Sequence, residues 1–169
     1  MGTMEQGGPA SAVAPDGWYA RLMRRMYRGG RPGRAARLMN RPSELIGRWG
    51  LLPSRLVSLE VVGRRSGRVV SLPLVPVRLD GEVYLVSMLG EANWVRNVRA
   101  AGGEAVLEHG RRDAVRLLEL PVEQRAPIIA RYLELAPGGR PHLPVRRGAP
   151  LAEIAAVADA IPVFRVVRR

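Results

Sequence analysis

The sequence predicts an α+β fold whose centre is a small, mainly antiparallel β-barrel, with flanking helices and a helical N-terminal extension. Three observations lead there. Apolar, β-branched stretches follow one another through short turns, as at Asp80-Gly81, a dipeptide that favours two-residue hairpins. The elements run strand-strand-strand-helix-strand-strand-helix-loop-helix-strand, with hairpins where a parallel sheet would need helical crossovers. G-x-G-x-x-G, G-x-x-x-x-G-K-[ST] and G-x-S-x-G are all missing, so dinucleotide-fingerprint, P-loop and serine-hydrolase chemistry has no local support.

Residues 1–15 are rich in Gly, Ala, Pro and Ser without periodicity and read as a disordered tail lacking a secretory signal, so a cytoplasmic protein is expected. Residues 16–54 form the helical extension. Asp16 is its N-cap, and Trp18, Leu22 and Met26 recur at helical spacing opposite Arg21, Arg24, Arg25 and Arg28. Such a basic amphipathic helix packs on a domain or lies on an anionic membrane, so peripheral membrane contact through Trp18–Arg28 is a second expectation. Residues 55–169 carry the barrel. Leu56–Val62 is its first strand and Val69–Leu79 its second, which Pro73 and Pro76 confine to an edge or a bulge. Glu82–Met88 is the third strand. Ala92–Ala101 is a helix stopped by Gly102-Gly103, with Trp94, Val98 and Ala101 on one face. Glu104–Glu108 and Arg112–Leu120 make a hairpin around Gly110. Pro121–Leu135 is a helix packing through Ile128, Ile129, Tyr132 and Leu133, and residues 136–150 are a loop long enough to suggest function. A helix over Leu151–Ala160 and a strand over Val163–Val167 close the domain.

Composition removes several chemistries. With no cysteine, disulfides, thiolate metal sites and cysteine nucleophiles are excluded, and two histidines without a dense carboxylate cluster argue against a metal site. All 27 basic residues are arginine against 15 acidic ones, giving +12. That balance favours anionic partners such as phosphates, polycarboxylates, a membrane face or nucleic acid. An oligonucleotide-stacking sheet would need aromatic strand residues, and the predicted strands have few, so nucleic acid is not an expected partner.

The stretch Val61–Ala101 concentrates the chemistry. Gly63 and Gly67 bracket Arg64, Arg65 and Ser66, placing two guanidinium groups, a hydroxyl and backbone N–H groups in one tight loop. Such a loop receives a phosphate or carboxylate, or is simply a solvated basic turn. Along the same stretch G-R-R-S-G-R (Gly63–Arg68), L-P-L (Leu72–Leu74), D-G (Asp80–Gly81), L-V-S (Leu85–Ser87) and N-W-x-x-N-V-R-A (Asn93–Ala100) occur in order. Together they resemble the deazaflavin-dependent nitroreductase and quinone reductase family, split β-barrel proteins of actinobacteria, related in fold to FMN-binding barrels, that use coenzyme F420. The resemblance runs from about Arg55 onward, is densest over Val61–Ala101 and fades after Leu120.

The resemblance implies an F420-dependent oxidoreductase that passes a hydride from the reduced deazaflavin to a small electrophilic acceptor such as a quinone, nitro compound or activated enone. Arg64, Arg65, Ser66, Gly67 and Arg68 would hold the phosphate and the start of the oligoglutamate tail. Backbone at Pro73 and at Val86, Ser87 and Met88 would lie against the ring. Trp94 and Asn97, with Arg99 nearby, would form the far wall. Tyr132 and Ser87 are the expected proton donors, with His142 a weaker candidate. A homodimer is implied by the same resemblance. This chain departs from better-known members in a shorter loop at Ser87–Gly90, in apolar Val70, Leu72 and Val75, and in having no tyrosine after Tyr132. Two other classes stay open: an FMN- or haem-binding barrel, and a non-catalytic module for lipid or an anionic ligand.

Overall fold

The computed structural model describes residues 56–169. The expected 1–15 tail and the helices of 16–54, Trp18–Arg28 among them, lie outside the described residues. Those described form seven strands: β1 (Val57–Val62), β2 (Val69–Leu74), β3 (Pro76–Leu79), β4 (Glu82–Val86), β5 (Glu104–His109), β6 (Arg111–Glu119) and β7 (Val163–Arg168). The helices are α1 (Asn93–Ala100), α2 (Ala126–Leu135) and the short α3 (Leu151–Ala155). The strands make one sheet in the order β2-β1-β5-β6-β7-β4-β3, antiparallel throughout.

The single strand expected over Val69–Leu79 is two strands at opposite edges of this sheet. Only Val75 separates Leu74 from Pro76, and two peptide steps span at most ~7.6 Å, so the edges must meet at that corner and the sheet must curl. The registers show how. Leu74 pairs with Val57, Ser58 with Glu108, Glu108 with Arg112, Arg116 with Val167, Arg165 with Tyr84 and Leu85 with Pro76. Followed round the sheet, these pairs climb by about ten residues before the chain returns to its starting strand, a stagger that tilts and closes a small barrel. Both prolines stand on edge strands, where a missing N–H costs no ladder bond.

Closure is incomplete. Continued past Pro76, the β3–β4 register would set Leu74 and Pro73 against Ser87 and Met88, but β2 turns away to pair with β1. A seam therefore opens between β2 and the end of β4, making this a split β-barrel.

Side-chain alternation sorts the core into two. Inside the barrel, Leu59, Val61, Leu85, Val115, Phe164 and Val166 pack with Trp94, Val95 and Val98 of α1, which plugs one end. Outside, α2 and α3 cover the opposite faces of β3 and β4, burying Val77, Val86, Ile129, Leu133 and Ile154. The helix expected over Pro121–Leu135 starts as a 3-10 turn at Val122–Gln124 before α2, and the one over Leu151–Ala160 breaks into α3 and a 3-10 turn at Ala158–Ala160. The Asp80-Gly81 hairpin has φ of 50° and 79°, the positive pair that the tight right-twisted turn requires.

Candidate cofactor site at the plugged end of the barrel

The basic turn between β1 and β2 sits at the end that α1 closes. Its neck is held by Gly63 N–H donating to the Arg68 carbonyl at 2.7 Å and Gly67 N–H to the Gly63 carbonyl at 2.8 Å. A Cβ at Gly63 would stand 2.9 Å from Ser66 Oγ and 3.2 Å from the Arg68 carbonyl, so only glycine lets the neck close this tightly. Ser66 Oγ accepts from the Arg68 N–H at 3.3 Å and fixes the tip from within.

The two arginines expected to act alike are used differently. Arg64 is stitched to α1: its N–H donates to Asn97 Oδ1 at 3.2 Å, its Nη1 to the same oxygen at 2.8 Å and to the Asn93 carbonyl at 3.4 Å, and its Nη2 to Asn93 Oδ1 at 3.3 Å. Asn97 is buried, so this is a structural joint as well as a surface contact. Arg65 and the Arg68 guanidinium have no such partner among the described residues and are exposed, and the N–H groups of Arg65 and Ser66 are likewise uncommitted. Asn93 and Asn97 therefore aim the turn while Arg65 and Arg68 keep their charge open to a ligand. An anion with several oxygens fits that donor set.

Four of the expected site residues have side chains engaged within the chain itself. Trp94 is a plug in the barrel core, its ring 5.4 Å from that of Phe164 and tilted 55°. Arg99 is consumed by acids: it grips Glu119 with Nε at 2.7 Å and Nη2 at 2.8 Å, and its Nη1 meets Glu91 at 2.7 Å. These partners raise its pKa above the ordinary value, and it joins α1 to the end of β6. Ser87 is buried and donates its hydroxyl to the Gly90 carbonyl at 2.6 Å, fixing the turn after β4. Tyr132 lies under α2 in the outer core, its hydroxyl on Met88 Sδ at 3.4 Å, and burial pushes its pKa up to about 12. A Cβ at Gly139 would fall 2.6 Å from that hydroxyl, so the following loop seals it. Both hydroxyls are thus engaged within the chain.

Pro73, Val86, Ser87 and Met88 do share a place, the two banks of the seam, with Pro73 on the β2 edge and Met88 half-buried opposite. His142 is exposed in a 3-10 turn at Arg140–His142. Two features escaped the sequence reading. One is the Arg99–Glu119 pair, extended by the buried Arg125, which donates to Glu119 Oε1 at 3.2 Å and to the carbonyls of Leu120, Ala158, Asp159 and Ile161. The other is the commitment of Arg64. Arg99 holds the Glu119 carboxyl below the usual range against the opposing effect of burial. A carboxylate whose folded pKa is depressed adds stability above its unfolded pKa of about 4.3 and loses it as pH falls through the folded value. Glu119→Gln should therefore flatten the acid limb of a melting-temperature-against-pH curve; an unchanged limb would place the acid sensitivity elsewhere.

The profile of the F420H(2)-dependent quinone reductase family matches residues 33–139, beginning well before Arg55, where the motif resemblance starts. No curated protein matches the sequence. Among solved structures the chain is similar to an F420-H2 dependent reductase (FDR-A), at 25% identity over 66% of this chain and 93% of that one with a TM-score of 0.45. It is also similar to an F420 reductase, at 15% identity over 69% and 87% with a TM-score of 0.42. A third is the conserved hypothetical protein Rv2991 from Mycobacterium tuberculosis, at 14% identity over 69% and 74% with a TM-score of 0.47. The profile spans more than half of the chain, including the basic turn, both banks of the seam and α1: the chain belongs to the F420H(2)-dependent quinone reductase family.

Proposed function

We propose that this F420-dependent reductase acts on an apolar, electrophilic small molecule, a quinone before a nitro compound or an activated enone, and that its tail-binding charge comes from Arg65 and Arg68. The observation that carries the reading is the pairing of free and committed groups at one end of the barrel. Uncommitted guanidinium groups and N–H donors crown the turn, while Asn93 and Asn97 hold it still through Arg64. Val70, next to the turn, and Leu89, in the loop before α1, are exposed apolar side chains, and they favour an acceptor with little charge. When bound, the reduced cofactor supplies the hydride. The chain's part is to anchor the anionic end at Arg65 and Arg68, to offer the seam between Pro73 and Met88 to the flat end, and to leave the rim open for the acceptor and for the water that supplies the proton.

Tyr132 and Ser87 separate this account from one with a protein acid. Tyr132→Phe should keep kcat for a quinone within about threefold of wild type, whereas loss of a general acid costs about a hundredfold or more. Steady-state turnover of menadione with reduced F420 reads the difference, and a hundredfold loss would return the proton to Tyr132.

A further inference from the structure

At the opposite end of the barrel the described residues line a cleft of about 580 Å³, a size suited to a small organic ligand. Strand alternation says which side chains face it. Val115 and Val166 belong to the inner core, so Arg111, Asp113 and Arg168 on the same strands point into the mouth; Val77 belongs to the outer core, so Arg78 does too. Glu82 and Arg165 also border the cleft, but they alternate with Val83 and Val166 and share the outward side with Tyr84, which packs on the outer core. Among the described residues the mouth therefore carries three guanidinium groups, one carboxylate and the imidazole of His109, whose Nδ1 lies 3.0 Å from the Leu56 carbonyl oxygen. Asp113 answers Arg111 at 2.9 Å and Arg168 only at 3.9 Å, and Arg78 has no partner among the described residues. Beneath this ring Leu107, Val115 and Val166 form an apolar floor. The inner core, from Leu59 to Trp94, separates it from the basic turn.

An excess of cation round an apolar floor matches a ligand with one anionic head and an apolar body. A free inorganic anion would leave the floor wet, and a neutral apolar ligand would leave the guanidinium ring unanswered. We propose that this mouth is a second ligand site, distinct from the cofactor end, that takes a small amphipathic carboxylate with its head on Arg78 and Arg168 and its apolar part on the Val115 floor.

The test is calorimetric titration of the full chain with decanoate below its micelle concentration, beside decanol and acetate. Decanoate should bind at least about tenfold more tightly than either, because each control lacks half of the recognition. Arg78→Glu with Arg168→Glu should abolish decanoate binding while leaving the melting temperature and F420 affinity unchanged, since both side chains are exposed and at the far end. Arg65→Ala with Arg68→Ala should do the reverse. Equal binding of decanol, undiminished decanoate binding in the Arg78/Arg168 variant, or loss of it in the Arg65/Arg68 variant would each overturn the proposal. Because the two variants report on opposite ends, a failure here is separable from a failure of the cofactor assignment.

Discussion

Arg65→Ala and Arg68→Ala should each weaken F420 binding by about tenfold to a hundredfold, the loss expected when one charge-assisted hydrogen-bond partner of roughly 1.5–3 kcal/mol is removed. Neither should move the melting temperature, because both guanidinium groups are exposed and bond nothing in the described chain. Arg64→Ala should behave differently. It removes a ligand-end charge, but it also strips Asn97 Oδ1 of its 2.8 Å donor and Asn93 of two contacts, leaving a buried amide oxygen with one weaker bond. Affinity and melting temperature should therefore fall together, and Asn97→Ala should reproduce the melting loss. Arg111→Ala at the far hairpin is the neutral control. If Arg64→Ala and Arg65→Ala lose the same affinity with no difference in stability, the division of labour between the two arginines is wrong.

Gly103→Ala should be strongly damaging to folding. Gly103 has a φ of 86°, and a Cβ there would sit 2.5 Å from the Leu117 carbonyl oxygen. The residue's own carbonyl accepts the Leu117 N–H at 2.8 Å, and its N–H reaches back to the Val98 carbonyl at 2.9 Å, so the backbone cannot swing away without undoing the end of α1. Left-handed backbone alone costs a non-glycine residue roughly 1–2 kcal/mol, and the clash adds to it, so a loss of about 3 kcal/mol or more is expected. Gly102→Ala is the matched comparison: φ is 62°, nothing stands within 4 Å of its Cβ, and about 1 kcal/mol should suffice. Urea denaturation of the two variants measures both, and equal losses would mean that the approach to β6 is not tight.

How much of this could be read before the fold was seen depends on the range of the interaction. Asp80-Gly81 and the alternating strands announce themselves locally, and so does the packing face of α2, because turn chemistry and burial period are written within a few residues. Pro73 and Pro76 marked where a ladder must stop, yet nothing local says that the chain then crosses to the other edge at Val75; that follows from the stagger of the whole barrel. The tight basic turn was visible from its glycines and arginines. The commitment of Arg64 to Asn97 was not, since 33 residues separate them. Arg99 looked free for the same reason: its acid, Glu119, arrives from a strand 20 residues on. Tyr132 and Ser87 carry functional groups suited to proton transfer, and no local signal shows that Met88 and the Gly90 carbonyl would be their partners, because burial is set by the fold.

Titration of the wild-type chain with F420, FMN and haem at rising salt tests the central claim most directly. F420 should saturate one site per chain and bind more tightly than FMN, which offers one phosphate and no glutamate tail to Arg65 and Arg68. Its affinity should fall as salt screens those exposed charges, with longer glutamate tails losing most. FMN or haem binding as tightly as F420, or F420 affinity indifferent to both salt and the Arg65/Arg68 substitutions, would contradict the account.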